Sequence, residues 1–198
     1  MLRLYLVRHG ETDWNREKRY LGHTDLPLNQ NGEWEVSNLR ENLREVLFER
    51  CYTSDLRRAR QTATTILGGR DVQLIEELAL RELDFGEWEG LTYDEICQRY
   101  PQEAQKWVES GGRSSPFDGE DLGDLEVRVA SWLNSLLAEN IKGNILVVTH
   151  GGPVRILLCL LLGISSEKHW QFNVSTAGLA VVEVHEGQGI LCALNSLT

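Results

Sequence analysis

The chain has 198 residues, 41% of them hydrophobic and 25% charged, with a formal net charge of −10. That length suits one well-cored domain, and the composition excludes a disordered or low-complexity chain. The acidic balance argues against nucleic acid and anionic membrane surfaces as partners, since both carry charge of the same sign.

Leu2 to Val7 is a short apolar run followed by Arg8-His9-Gly10, the pattern of a buried strand ending in a functional turn. Apolar residues then recur at helical spacing between 31 and 47, at Val36, Leu39, Leu43, Val46 and Leu47. A strand is expected at 50–53. A second helix follows, with Leu56, Ala59, Ala63, Ile66 and Leu67 on one face and Gly68-Gly69 as its stop. Another strand is expected at 72–75.

From 76 to 123 the composition shifts to Glu, Asp, Gly and Trp with short helical pieces, one capped by Thr92 and Glu95 and one starting at Pro101. This stretch reads as an insertion covering the active-site end of the sheet within a single domain of residues 1–198. A helix is then expected at 122–136, a buried strand at 144–149, and an apolar helix opened by His150-Gly151-Gly152-Pro153 and stopped near Gly163. Runs at 179–184 and 190–193 form a terminal hairpin. Strands alternating with helices imply an α/β three-layer sandwich, with a mainly parallel central sheet and helices on both faces.

Cys51, Cys97, Cys159 and Cys192 are scattered, without a CxxC pair, and read as reduced, mostly buried thiols. No basic and apolar leader pattern follows Met1, and the apolar run from Ile156 to Leu162 is too short for a bilayer. The cytoplasm is therefore the expected location, with no membrane and no nucleic acid among the partners.

Two segments share one design, a hydrophobic strand followed by His and Gly: Leu4 to Gly10, and Ile145 to Gly151. In a parallel sheet both histidines emerge at the carboxyl edge, where sites of such folds lie. If the strands are neighbours, the imidazoles meet. The second segment opens a helix whose unpaired N–H groups, Gly151 among them, favour a phosphate. Either histidine alone would suit a hydrogen-bonded structural role; two in matching contexts point to catalysis. A zinc site of His9, Glu82 and His150 has no local ligand spacing to support it.

Arg8-His9-Gly10-Glu11-Thr12, with Asn15 after it, resembles the signature of the histidine phosphatase superfamily, which includes the phosphoglycerate mutases. Ser54 to Ala63 is similar to that family's second motif, in which the position of Arg58 binds phosphate. Glu82, in the stretch from Arg81 to Gly90, matches its proton donor, and Thr149 to Gly152 its last motif. The resemblance implies an enzyme that attacks a phosphate monoester with His9 and passes through a phosphohistidine. Arg8, Arg58 and His150 would hold the phosphoryl oxygens, His150 if protonated. Glu82, preferred over Glu87 and Asp84, would serve the leaving group from a site partly buried near Phe85 and Trp88. Asn15, Leu21, Gly22 and Gly151 are the expected substrate-binding positions. No cofactor and no metal are implied, the partner is a small phosphorylated metabolite, and a homodimer is compatible with it.

The mutases of this family carry paired arginines in an insertion, where 101–123 offers only Lys106 and Arg113. The stretch from Asp84 to Gly90 resembles the phosphatase branch. Within it the chain is similar to alpha-ribazole phosphatases of cobalamin biosynthesis, the tail residues Trp170-Gln171-Phe172 and Leu194-Asn195-Ser196 adding to that likeness. A phosphoglycerate mutase and a non-catalytic phosphate-binding module are the alternatives. Of the remaining candidates, Arg57 and Arg60 read as solvated, and His23 as either at the pocket mouth or in solvent. His169 and His185 read as structural or exposed, and Trp88, Trp107 and Trp170 as core or pocket wall.

Overall fold

A computed structural model describes residues 1–116 and 118–195. Phe117, inside the expected insertion, and Ser196, the end of the tail motif, lie outside the described residues.

The strands are β1 (Leu2–Arg8), β2 (Phe48–Thr53), β3 (Gln73–Glu76), β4 (Gly143–Thr149), β5 (Leu179–His185) and β6 (Gln188–Leu194). They form one sheet in the order β3-β2-β4-β1-β5-β6. β1 runs parallel to β4, with Arg8 opposite Thr149, and β4 and β3 flank β2 in the same sense. β5 is antiparallel to β1 and β6 to β5, as a hairpin tail requires.

Alternation along the central strands builds two cores. Leu4, Leu6, Ile145 and Val147 face one side, where they meet α6 (Leu122–Ala138) and α7 (Gly151–Leu162). Tyr5, Val7, Leu146 and Val148 face the other, against α2 (Gln30–Asn42) and α3 (Arg57–Leu67). Between β3 and α6, the helices α4 (Tyr93–Arg99) and α5 (Pro101–Glu109) and two short 3₁₀ turns add Leu80, Trp88, Ile96 and Trp107 to the α6–α7 side. Thr92 and Glu95 form the expected capping box, and Pro101 occupies the first position of α5.

Three details differ from expectation. The helix placed at 31–47 ends at Asn42, because Arg70 donates to the carbonyls of Leu43 (3.3 Å) and Val46 (2.8 Å) and holds them in a turn. Leu47, the last residue of the apolar pattern, is 78% exposed. Cys51 and Cys159 are buried, but Cys97 is only half-buried and Cys192, on the last strand of the sheet, is exposed; all four are free. A one-turn helix, α1 (Asp13–Arg16), was not anticipated, although Thr12 and Asn15 cap it reciprocally. Among the described residues no helix is long and apolar enough to cross a membrane.

Candidate active site

Adjacent parallel strands deliver the two histidines. β1 ends at Arg8 and β4 at Thr149, so His9 and His150 leave the sheet side by side, with ring centroids 5.0 Å apart. The ladder continues one step further, the His9 N–H donating to the Thr149 carbonyl at 2.9 Å. Gly10 then lets the chain pass close to α2; a Cβ there would lie 2.6 Å from the Gly32 carbonyl oxygen.

Hydrogen bonds assign the imidazole nitrogens. His9 Nδ1 lies 2.7 Å from the Gly10 carbonyl oxygen, which can only accept, so Nδ1 carries the proton and Nε2 the lone pair. Arg58 Nε–H points between that Nε2 (3.3 Å) and His150 Nδ1 (3.2 Å), and His150 Nε2–H donates to Ser54 Oγ (2.9 Å). Both rings are therefore neutral in the free site. Burial holds His9 and His150 well below the usual histidine value, and the charges of Arg58 and Arg8 reinforce this. The donor role expected of a protonated His150 is thus not available before an anion arrives.

The cations are fixed. Arg58 lies on α3 and is fully buried, its NH1 donating to the Thr24 carbonyl (2.9 Å) and its NH2 to that of Gly22 (2.7 Å). Burial pushes it down to about 10. Arg57 and Arg60, one residue before and two after it, are exposed as expected. Arg8 NH1 donates to the Val174 carbonyl (2.8 Å), while its buried Nε has no partner among the described residues. An orphaned guanidinium donor in such a place is a ready anion ligand.

Glu82 follows a 3₁₀ turn and reaches the start of α7, where its carboxylate accepts from Gly152 N–H at 3.1 and 3.2 Å. A Cβ at position 152 would fall 2.3 Å from Glu82 Oε1, so a side chain there would displace the carboxylate. The competing acids sit elsewhere: Glu87 is exposed, and Asp84 accepts from Gly86 N–H and faces His23. Glu89 accepts from the N–H groups of His23 and Thr24, bracing the loop whose carbonyls hold Arg58.

The other expected residues fall out as follows. Asn15 spends its side-chain oxygen on the Thr12 cap, leaving Nδ2 as its donor. Leu21 is buried, Gly22 serves Arg58 through its carbonyl, and Gly151 is the first residue of α7. His23 is half-buried beside Glu82, where its Nε2–H donates to the Glu82 carbonyl (3.1 Å). His185 is exposed, while His169 is buried and lines a cavity beside Glu82 together with Trp107 and Trp170. Trp88 is fully buried behind that wall, packed edge-on against Trp107 at 5.5 Å.

Two arginines escaped the sequence reading. Arg128 on α6 bonds the carbonyls of Ala79 (2.8 Å), Arg81 (2.7 Å) and Glu82 (2.8 Å), and forks onto Glu120 at 2.9 and 2.8 Å. Glu120 in turn accepts from Asp84 N–H, so the segment bearing Glu82 is tied on both sides. No sequence signal marks Arg128, because its partners are backbone carbonyls far along the chain. Arg155, in contrast, lies four residues after Gly151 and thus on the helix face above the same end. Among the described residues, no three His, Cys, Asp or Glu side chains converge as a metal cage would need.

Residues 4–197 match the profile of the histidine phosphatase superfamily, branch 1. The chain is 31% identical over 195 residues to phosphoserine phosphatase 1 of Hydrogenobacter thermophilus, covering 98% of this chain and 92% of that protein. It is 36% identical over 195 residues to the 2,3-bisphosphoglycerate-dependent phosphoglycerate mutase of Bartonella bacilliformis, covering 95% of each. A crystal structure of the alpha-ribazole phosphatase from Shigella flexneri superposes with a TM-score of 0.94 at 30% identity, over 99% of this chain and 97% of that one. With the fold, the paired strand-end histidines and a match across nearly its whole length, the chain belongs to branch 1 of the histidine phosphatase superfamily.

Proposed function

We propose that this phosphatase hydrolyses a small phosphorylated metabolite by transferring its phosphoryl group to His9 Nε2 and then to water. The observation that carries this reading is the tautomer of His9: Nδ1–H is committed to the Gly10 carbonyl, so the lone pair sits on the nitrogen facing Arg58 and His150. A neutral, buried imidazole whose lone pair meets only an Arg58 N–H shared with His150 is a competent nucleophile toward phosphorus once the phosphoryl oxygens draw that donor away.

In the first step the Nε2 lone pair forms the N–P bond as the ester P–O bond breaks, and Glu82 gives its proton to the departing oxygen. The phosphoryl oxygens take over donors of Arg58 and the orphaned Nε–H of Arg8, which suit the trigonal oxygens by charge and fork geometry. The anion also offsets the cations that keep His150 neutral, so proton uptake there would make it a further donor. In the second step water attacks phosphorus, the Glu82 carboxylate takes a water proton, and the N–P bond breaks. The products are inorganic phosphate and neutral His9. In this proposal residues 76–123 act as the cap that carries the acid.

The narrower substrate reading includes alpha-ribazole 5′-phosphate and a broader set of small esters. The mutase alternative predicts that 2,3-bisphosphoglycerate stimulates turnover of phosphoglycerate, and no stimulation is expected here. Rapid quenching after brief exposure to labelled ester tests the reaction. Acid-labile phosphate on His9 is the expected result, and label on a serine or cysteine would overturn it.

A further inference from the structure

Thr149 ends the central strand β4 at a position without solvent exposure, directly after Ile145, Leu146, Val147 and Val148. Valine has nearly the same shape and suits a buried strand at least as well. A hydroxyl in that place must be bonded, because burying it unpaired is costly. Its partner is the carbonyl of Leu80, 69 residues away in the chain, to which Thr149 Oγ1 donates at 2.5 Å.

Leu80 closes the 3₁₀ turn Leu78–Leu80, and Glu82 follows two residues later. The carbonyls of residues 79 to 82 each meet a side-chain donor. Arg128 takes those of Ala79, Arg81 and Glu82, and Thr149 takes that of Leu80. The two donors come from different layers. Arg128 belongs to α6, which covers one face of the sheet, whereas Thr149 belongs to the sheet itself.

Thr149 also adjoins the histidines. Its carbonyl accepts from His9 N–H at 2.9 Å, it lies opposite Arg8 in the ladder, and His150 follows it directly. The same residue thus touches the backbone of His9, leads into His150 and, through its hydroxyl, holds the segment that carries Glu82. That hydroxyl is stiffly aimed, because the branched Cβ restricts its rotamers. Stiffness has kinetic value here, since a misplacement of about 1 Å in a reacting group can cost about a hundredfold.

We infer that Thr149 is a positioning residue, its hydroxyl setting Glu82 at the height of the ester oxygen when the phosphoryl group lies against His9. This rests on the hydrolytic reading above, in which Glu82 is the proton donor. The rival account is that the bond only stabilises the fold, as a buried hydrogen bond does anywhere.

Thr149→Val deletes the hydroxyl but keeps the strand, the volume and the carbonyl that meets His9. The quantity to compare is kcat/KM, which reports steps up to phosphorylation and is blind to a slow water step. For an alkyl phosphate that the wild type turns over, it should fall about tenfold, the worth of a buried carbonyl left unpaired. For p-nitrophenyl phosphate, whose leaving group needs no proton, it should fall less than about twofold. Thr149→Ser, which retains the hydroxyl on a freer rotamer, should recover most of the loss. In a Glu82→Gln background Thr149→Val should cost the alkyl ester nothing further, because the group it positions is gone. Equal slowing of both esters, or of neither, overturns the inference whatever happens to the melting temperature. So does a tenfold loss that persists in the Glu82→Gln background. If the valine variant does not fold, Thr149→Ala removes the same hydroxyl and repeats the test. An ester contrast in Glu82→Gln without one in Thr149→Val means that only the positioning role has failed. Its absence from both means that the proton-donor reading has failed with it.

Discussion

The two halves of the site are held in different ways. The proposed phosphate end consists of His9, His150 and Arg58, all buried; the histidines end neighbouring parallel strands and Arg58 sits in the first turn of α3. Its geometry follows from sheet register, which is hard to shift because a one-residue slip turns every side chain to the other face. The proposed leaving-group end is Glu82, which lies among 3₁₀ turns and loops, its carboxylate on the N–H groups of Leu83 and Gly152 and its carbonyl on Arg128 and His23. A phosphoryl group is the same in every ester and rewards a rigid cradle. Leaving groups differ, and the part that meets them sits where sequence change is tolerated.

The comparison breaks most severely at the nucleophile. His9→Ala should cost four or more orders of magnitude in kcat on every ester, as removal of nucleophiles does elsewhere. Activity within tenfold of wild type would show that the strand-end histidines are not the reactive half.

A contrast between esters separates the halves. Glu82→Gln should slow an alkyl phosphate by about a hundred- to ten-thousandfold, the usual worth of general acid catalysis, and p-nitrophenyl phosphate far less, since p-nitrophenolate leaves without a proton. Arg58→Ala removes the proposed contact to the phosphoryl group that every ester shares, along with its bonds to Gly22 and Thr24, and should slow both by similar factors. Burst kinetics must first establish that phosphorylation limits the rate, because in the proposed mechanism Glu82 also serves the water step. If it does and Glu82→Gln slows both esters equally, Glu82 is not the proton donor.

Arg128 gives a smaller, sharper test of the leaving-group half. Arg128→Ala frees three carbonyls around Glu82 and should reproduce the ester contrast of Glu82→Gln at about tenfold, the worth of a few hydrogen bonds from a charged donor. Arg128→Lys should not rescue it, because one ammonium cannot span the same acceptors. Equal loss on both esters would mark Arg128 as a fold residue alone.

The smallest effect concerns pH and the phosphate end. His9 and His150 are held neutral by burial and the nearby arginines, while the unfolded chain takes up protons near the ordinary value of 6.5. Their contribution to stability is therefore complete above that pH and is lost as pH falls from it toward the depressed folded values. The melting temperature of the ligand-free enzyme should drop between pH 7 and 5, and His150→Asn should flatten that slope. An unchanged slope would mean that other groups govern the acid limb.

How far each half could be read from sequence follows the same division. His9 and His150 were legible because a hydrophobic run ending in His-Gly marks a strand end, and Arg58 through the resemblance of Ser54 to Ala63 to the family's second motif. Glu82 was legible only through family resemblance; nothing local separates it from Asp84 or Glu87 until Gly152 is seen to bind it. The helix that stopped at Asn42 and the role of His23 escaped because Arg70 and the Glu82 carbonyl, their deciding partners, are distant in the chain.

By itself, then, the sequence determined the α/β alternation, the two strand-end histidines and the caps of α4 and α5, each the product of interactions spanning a few residues. The tertiary structure alone decided that β1 and β4 are neighbours, that Arg58 Nε–H bridges both imidazoles, and that Arg155 stacks on Trp170 in the wall beside Glu82. The physical reason is range: periodicity and capping are set by contacts within about a turn, whereas desolvation, register and hydrogen-bond partnership depend on groups that only the packed chain brings together.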